Sequence, residues 1–130
     1  TYTSPEIAHV GLYAHEAEQR GIAIDTYQVP LDQVNRAVAD GEAKGFLKVH
    51  TVKGKDRILG ETLVASHAGD MISQITQAMV TGKGLSALSG VIFPYPTQAE
   101  IIKRASSAYL KGRFTPFARR VLERYFAFRR

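Results

Sequence analysis

The side chains with the most chemical promise in this sequence fall in one short segment, Phe93-Pro94-Tyr95-Pro96-Thr97-Gln98-Ala99-Glu100. Two prolines in three residues forbid a regular helix or a strand ladder there and force an extended turn. Tyr95 brings a phenol to this turn and Glu100 a carboxylate. Such groups can hold or pass a proton, although a phenol, with an ordinary pKa of about 10, does not exchange protons near neutrality as imidazole does at about 6.5. A plainer reading stands beside the chemical one. Thr97 and Glu100 have the S/T-x-x-E form of a capping box, in which a hydroxyl and a carboxylate each satisfy a free backbone N–H, and Tyr95 then only caps a core.

Other candidate groups carry less. His9, His15, His50 and His67 lie on different expected elements without an i, i+4 pair, so a metal set is not expected and each reads as structural. Lys53-Gly54-Lys55 and Gly82-Lys83-Gly84 lack the spacing of a phosphate loop and read as turns. With no cysteine there is no thiol nucleophile, disulfide or Cys-type zinc site within the chain. No G-x-G-x-x-G fingerprint occurs, so the chain alone is not expected to bind FAD or a nicotinamide nucleotide.

The elements that must position the turn follow from the hydrophobic period. Strand-like residues at 7–13 and 22–29 flank a short helix at 14–20 that Gly21 stops, and 32–39 reads as a second helix closed by Gly41. Residues 45–52 and 57–65 form a hairpin across Lys53-Gly54-Lys55-Asp56. Ala68, Met71, Ile72, Ile75 and Met79 then fall at helical spacing up to Gly82, with the methionines as core filler. A helix beginning at Thr97 follows the proline turn, with Gly112 read as its stop and residues 111–115 as a hinge. A last helix from Thr115-Pro116 sets Phe117, Val121, Leu122, Tyr125 and Phe128 along one side. Because regular crossover helices do not separate the strands, the expected class is α+β, a mixed or antiparallel sheet with helices on one side.

The 130 residues suit one domain body, read as 1–112, with 113–130 as a basic amphipathic helix packing on that body or on a partner subunit. Residues 101–130 carry nine Lys or Arg against Glu123 alone, a balance of +8 within a net +5. A solvated cationic face, a nucleic-acid contact, or an arm laid on a subunit or a membrane surface are the readings open to it. No apolar run approaches the ~20 residues needed to cross a bilayer, and no signal peptide is recognisable, so the expectation is a cytoplasmic protein. The opening, without methionine and already strand-like, suggests a piece of something longer.

Taken in order, these segments resemble the dimerisation domain of the pyridine nucleotide-disulfide oxidoreductases, the family of lipoamide dehydrogenase, glutathione reductase and mercuric reductase. Tyr2-Thr3-Ser4-Pro5-Glu6-Ile7-Ala8-His9-Val10-Gly11 is similar to its opening T-x-P-E-x-A-x-V-G strand. Asn35-Arg36-Ala37 with Gly45-Phe46-Leu47-Lys48 is similar to its R-A and G-F-x-K passage. Ile58-Leu59-Gly60 and His67-Ala68-Gly69-Asp70-Met71-Ile72 resemble its hairpin exit and following helix.

The resemblance implies more about the turn. Pro96, Thr97 and Glu100 match the H-P-T-x-x-E pattern, whose His-Glu pair reaches into the partner subunit to move protons at a dithiol, but Tyr95 stands where the histidine belongs. Phe93-Pro94-Tyr95 instead looks like the F-P-Y of mercuric reductase, whose tyrosine lies by the substrate metal. Tyr95 and Glu100 are thus the expected catalytic positions, Tyr95 and Pro96 the expected contacts to the partner's flavin, and a cis Tyr95–Pro96 bond is predicted. On this resemblance the chain is a homodimer interface inside a larger FAD- and NAD(P)H-dependent enzyme, inactive alone, with upstream FAD- and NAD(P)-binding domains as its partners. No membrane and no nucleic acid are expected as partners. The alternative is a stand-alone interaction or nucleic-acid-binding module that uses the basic last helix.

Overall fold

A computed structural model describes residues 3–113 and 116–129, with the backbone alone for 116–119. Tyr2 of the opening pattern, the last two residues of the expected hinge (114–115) and the side chain of Phe117 lie outside the described residues.

Four strands, β1 (Glu6–Gly11), β2 (Ile24–Pro30), β3 (Phe46–Val52) and β4 (Ile58–Ala65), form one sheet of order β1-β4-β3-β2 in which every neighbouring pair is antiparallel. The α+β expectation therefore resolves to its antiparallel form. The β3–β4 hairpin turns at Gly54, whose φ of 75° suits a residue without Cβ and whose N–H donates to the Asp25 carboxylate. The alternation of side chains along each strand dictates one apolar face. Val29 lies opposite Leu47, Leu47 opposite Leu63, and Leu63 opposite Ala8, and all four are buried.

Two of the three 13-residue helices cover this face. α3, the helix of Ala68–Val80, buries Ala68, Met71, Ile75 and Ala78, the i, i+3, i+7 spacing read from the sequence. α4 is the helix of Glu100–Gly112, and it buries Ile101, Ile102, Ala105, Ser106 and Tyr109. Tyr109 meets Tyr27 of β2 edge-on, ring centroids 5.7 Å apart. Between α3 and α4 a 3₁₀ turn at Leu85–Gly90 sinks Leu85 and Leu88 into the same core. Its start is tied to the hairpin: Ser86 donates to the Asp56 carboxylate, and the Leu85 N–H donates to the Asp56 carbonyl at 2.8 Å. Its far side is tied to α4, since the buried Ser106 hydroxyl donates to the Leu85 carbonyl at 2.8 Å.

Two short helices complete the body, α1 (Ala14–Gln19) and α2 (Asn35–Ala39). The chain reaches α1 by crossing β4 at Gly60, where any Cβ would overlap the Leu12 carbonyl oxygen. Glu16 starts α1 by accepting the Tyr13 N–H at 2.8 Å. A 3₁₀ turn at Leu31–Gln33 leads into α2, which is shorter than the helix expected over 32–39. α5, the helix of Pro116–Phe128, leaves Val121, Leu122, Tyr125, Phe126 and Phe128 exposed.

One core position breaks the apolar rule. Glu61 faces Val49 and Val10 across the sheet on the side that α3 covers, and it is completely buried. Neither carboxylate oxygen has a hydrogen-bond partner among the described residues, and the same holds for the nearby Thr51 hydroxyl. Burial pushes the Glu61 carboxyl up to about 8, which makes it a neutral acid at pH 7.

Candidate functional site

The proline turn leaves the core at Phe93, which is half-buried against it, and returns at Gln98, which is buried. Between them Tyr95 stands 70% exposed. The Tyr95–Pro96 peptide is cis, as the sequence predicts; Ser4–Pro5 is cis as well, which the sequence reading did not foresee.

An exposed loop gains little from burial, so its shape must come from hydrogen bonds, and four of them hold this one. The Thr97 hydroxyl donates to the Pro94 carbonyl at 2.7 Å, closing the turn on itself. Ser66, just past β4, donates to the Gln98 side-chain oxygen at 3.0 Å. From α2, Arg36 donates to the Pro96 carbonyl at 3.4 Å, and the Asn35 amide donates to the Tyr95 hydroxyl at 3.1 Å. Arg36 is itself aimed by Asp40, which accepts from its Nε at 2.9 and 3.0 Å. That pair is exposed and contributes at most about 0.5 kcal/mol. Its value is orientation.

This bonding corrects the helix start expected at Thr97. The Thr97 hydroxyl is committed backwards to Pro94, so no capping box forms with Glu100. Instead the N–H groups of Glu100, Ile101 and Ile102 donate to the carbonyls of Thr97, Gln98 and Ala99, a tight turn of i→i+3 bonds, and α4 proper begins at Glu100. Glu100 remains in the first turn, where a carboxylate complements the positive end of the helix dipole. Tyr95, Pro96 and Glu100 thus share one turn and helix start. Asn35, Arg36, Asp40, Ser66 and Gln98 are the supporting residues that sequence reasoning did not assign. The Asn35-Arg36 pair was visible only as part of the family pattern, without a role.

The turn also walls a pocket of about 280 Å³ with Arg36, Asp40, His67 and Met71. A larger apolar groove of about 530 Å³ lies on its other side, between α3 and residues 87–94. Two of the histidines make structural contacts within the sheet. His9 bridges the Thr62 hydroxyl and the Gly11 carbonyl, each at 2.8 Å, and stacks on Tyr13. His50 pairs with Thr26 at 2.8 Å. Among the described residues no three His, Asp or Glu side chains gather as a metal set.

A sheet of this order, capped by α3 and α4 and presenting a proline corner beside α2, has known counterparts. The sequence profile of the pyridine nucleotide-disulphide oxidoreductase dimerisation domain matches residues 1–106. The chain belongs to that family. It is 34% identical over 112 residues to mitochondrial dihydrolipoyl dehydrogenase of Caenorhabditis elegans, covering 86% of this chain and 23% of that protein. With mercuric reductase of Shigella flexneri the identity is 34% over 110 residues, 85% of this chain and 20% of the relative. The fold also superposes on the HOCl-induced flavoprotein disulfide reductase RclA of Escherichia coli with a TM-score of 0.75 and 26% identity, covering 80% of this chain and 24% of RclA. The chain therefore spans about a fifth to a quarter of the length of these relatives. The fold and family implied by the resemblance are those observed, and the chain is an oxidoreductase dimerisation domain.

Proposed function

We propose that this domain pairs two subunits of an FAD- and NAD(P)H-dependent cytoplasmic oxidoreductase about a two-fold axis, and that its turn at residues 93–100 closes the flavin site of the other subunit. Hydride chemistry would be supplied by FAD and the nicotinamide, held on domains outside this chain, since no dinucleotide fingerprint lies within it. The division of labour read from the sequence, 1–112 as interface domain and 113–130 as an added helix, belongs to this proposal.

One observation carries the reading: a large aromatic side chain stands exposed on a turn anchored from both sides. An ordinary loop does not hold a tyrosine 70% in solvent while the turn is fixed to α2 and to the segment just past β4. The bonding also sets what Tyr95 can do. Its oxygen already accepts a hydrogen bond from the Asn35 amide, so its own O–H is free to donate outward. Pointed into a neighbouring flavin site, Tyr95 would donate to an anionic or thiolate-bound substrate rather than act as a base. Pro96, fixed through Arg36, would present the corner to the flavin, and Glu100 would keep the start of α4 in place.

The test is Tyr95→Phe in the full-length protein, with NAD(P)H oxidation followed using mercuric ion and an aromatic disulfide as separate acceptors. Loss of one positioned donor should lower kcat by about tenfold to a hundredfold for one of them, with flavin content and oligomeric state unchanged. Unchanged kinetics with both acceptors would remove Tyr95 from the site.

A further inference from the structure

α5 is the feature that the interface role leaves unused. It lies beyond the residues matched by the family profile, which end at 106. Residues 1–106 hold ten Lys or Arg against eleven Asp or Glu, whereas 107–130 hold seven against Glu123. The whole cationic surplus of the chain is thus in the added segment. On α5 the charge is paired with an apolar arc: at helical spacing Val121, Leu122, Tyr125, Phe126 and Phe128 fall in one half-turn, and Arg120, Glu123 and Arg124 in the other. The apolar arc is open to solvent, with Phe126 at 60% and Phe128 at 91% exposure. Arg129, just past the end of α5, lies over the Tyr125 ring, 5.5 Å from its centroid.

We propose that α5 is a docking element for an anionic lipid surface, lying in the plane of the headgroups with Tyr125, Phe126 and Phe128 inserted and its arginines on lipid phosphates. Charge complementarity favours this occupant over the others. A second α5 laid on the first would bring together two segments that each carry Arg119, Arg120, Arg124, Arg129 and Arg130 against Glu123. The apolar groove between α3 and residues 87–94 offers α5 no acidic partner, since Lys83 is the charged residue of its lining. Nucleic acid would answer the arginines but leave five apolar side chains in water. A helix of 13 residues, about 20 Å long, is too short to span a bilayer, and among the described residues no helix is long and apolar enough to do so. It suits an interfacial helix, with its aromatic half in the acyl boundary and its cations outward.

The experiment is co-sedimentation of the full-length protein with vesicles of phosphatidylcholine alone and with about 30% phosphatidylglycerol, at low and high salt. Binding should be at least about tenfold stronger to the anionic vesicles and fall steeply with salt. The double variant Phe126→Glu/Phe128→Glu should lose about tenfold or more, and Arg120→Gln/Arg124→Gln should lose the preference for anionic lipid. A chain truncated after Gly112 keeps the test independent of how these variants fold, and it should lose vesicle binding while keeping its thermal melt. Equal binding to both vesicle types, or binding that survives the glutamates or the truncation, overturns the proposal. So does a fall in oligomeric state on truncation without vesicle binding by the intact chain, which would make α5 an intersubunit arm, or tight binding to duplex DNA without vesicle binding.

Discussion

Replacing Glu61 by glutamine removes an ionisable group from the centre of the core while keeping its shape, and the effect should depend on pH in a defined way. The carboxyl is fully buried between Val10 and Val49, and burial raises its pKa from 4.5 to about 8. In the unfolded chain the same group ionises near its ordinary value, so between that pH and about pH 8 folding must take up a proton. The penalty is absent below about pH 4.5, grows between there and about pH 8, and is constant above. Between pH 5 and pH 8 this linkage lowers stability by about 3 to 4 kcal/mol relative to a neutral side chain.

Glutamine has costs of its own, because a buried amide without partners is unfavourable by about 1–3 kcal/mol, but that cost does not vary with pH. His50 acts in the opposite sense. Burial first, then Lys48 and His9, lower its pKa, so its contribution improves as pH rises. It is present in both proteins and cancels in the difference. The assay is urea unfolding of the chain and of Glu61→Gln at half-unit steps from pH 5 to pH 8. The wild type should lose about 3 kcal/mol or more against the variant across that range. Parallel profiles would show that Glu61 is ionised in the fold or has found a partner, and would refute its placement on the covered face.

Leu63→Ala, at a fully buried position opposite Leu47 and Ala8, should cost about 3–5 kcal/mol by the same unfolding assay. Gly60→Ala should cost about 1–3 kcal/mol, since its methyl would collide with the Leu12 carbonyl where the chain crosses β4; a neutral result would show that the crossing yields easily. Asp56→Ala strips the Ser86 hydroxyl of its acceptor and should destabilise by about 1–2 kcal/mol, with amide exchange accelerated first at residues 85–90.

The fold was largely legible because its elements obey strict periods. Alternation set β3 and β4, and the spacing of Ala68, Met71, Ile75 and Met79 set α3, with Gly82 at φ 71° ending it. Glu61 was invisible for the same reason. A carboxylate within a strand reads as an outward residue, and only the pairing opposite Val49 puts it inside. The start of α4 was misplaced because S/T-x-x-E is a local rule, whereas the Thr97 hydroxyl was taken by Pro94 across the proline corner. The anchors Asn35 and Arg36 are 60 residues from Tyr95 and Pro96 in the chain, a distance no spacing pattern spans.

That long-range anchoring connects the core to the candidate site. Leu31, Val34 and Ala37 recur every third residue and are essentially fully buried, so one side of the 3₁₀ turn and of α2 is locked into the core. Locking that side leaves Asn35 and Arg36 exposed toward the proline turn. An exposed tyrosine is therefore oriented through three aliphatic side chains about 60 residues away in the chain. Val34→Ala should show this. It opens space beneath α2 and should cost about 1–3 kcal/mol of stability, which any core truncation would do. In the proposed enzyme it should also lower kcat toward the Tyr95→Phe value, while an equally destabilising truncation at Ile75 of α3 should leave kcat unchanged. Equal kinetic effects from the two truncations would mean that Tyr95 is placed by the body as a whole, and that α2 has no special part in it.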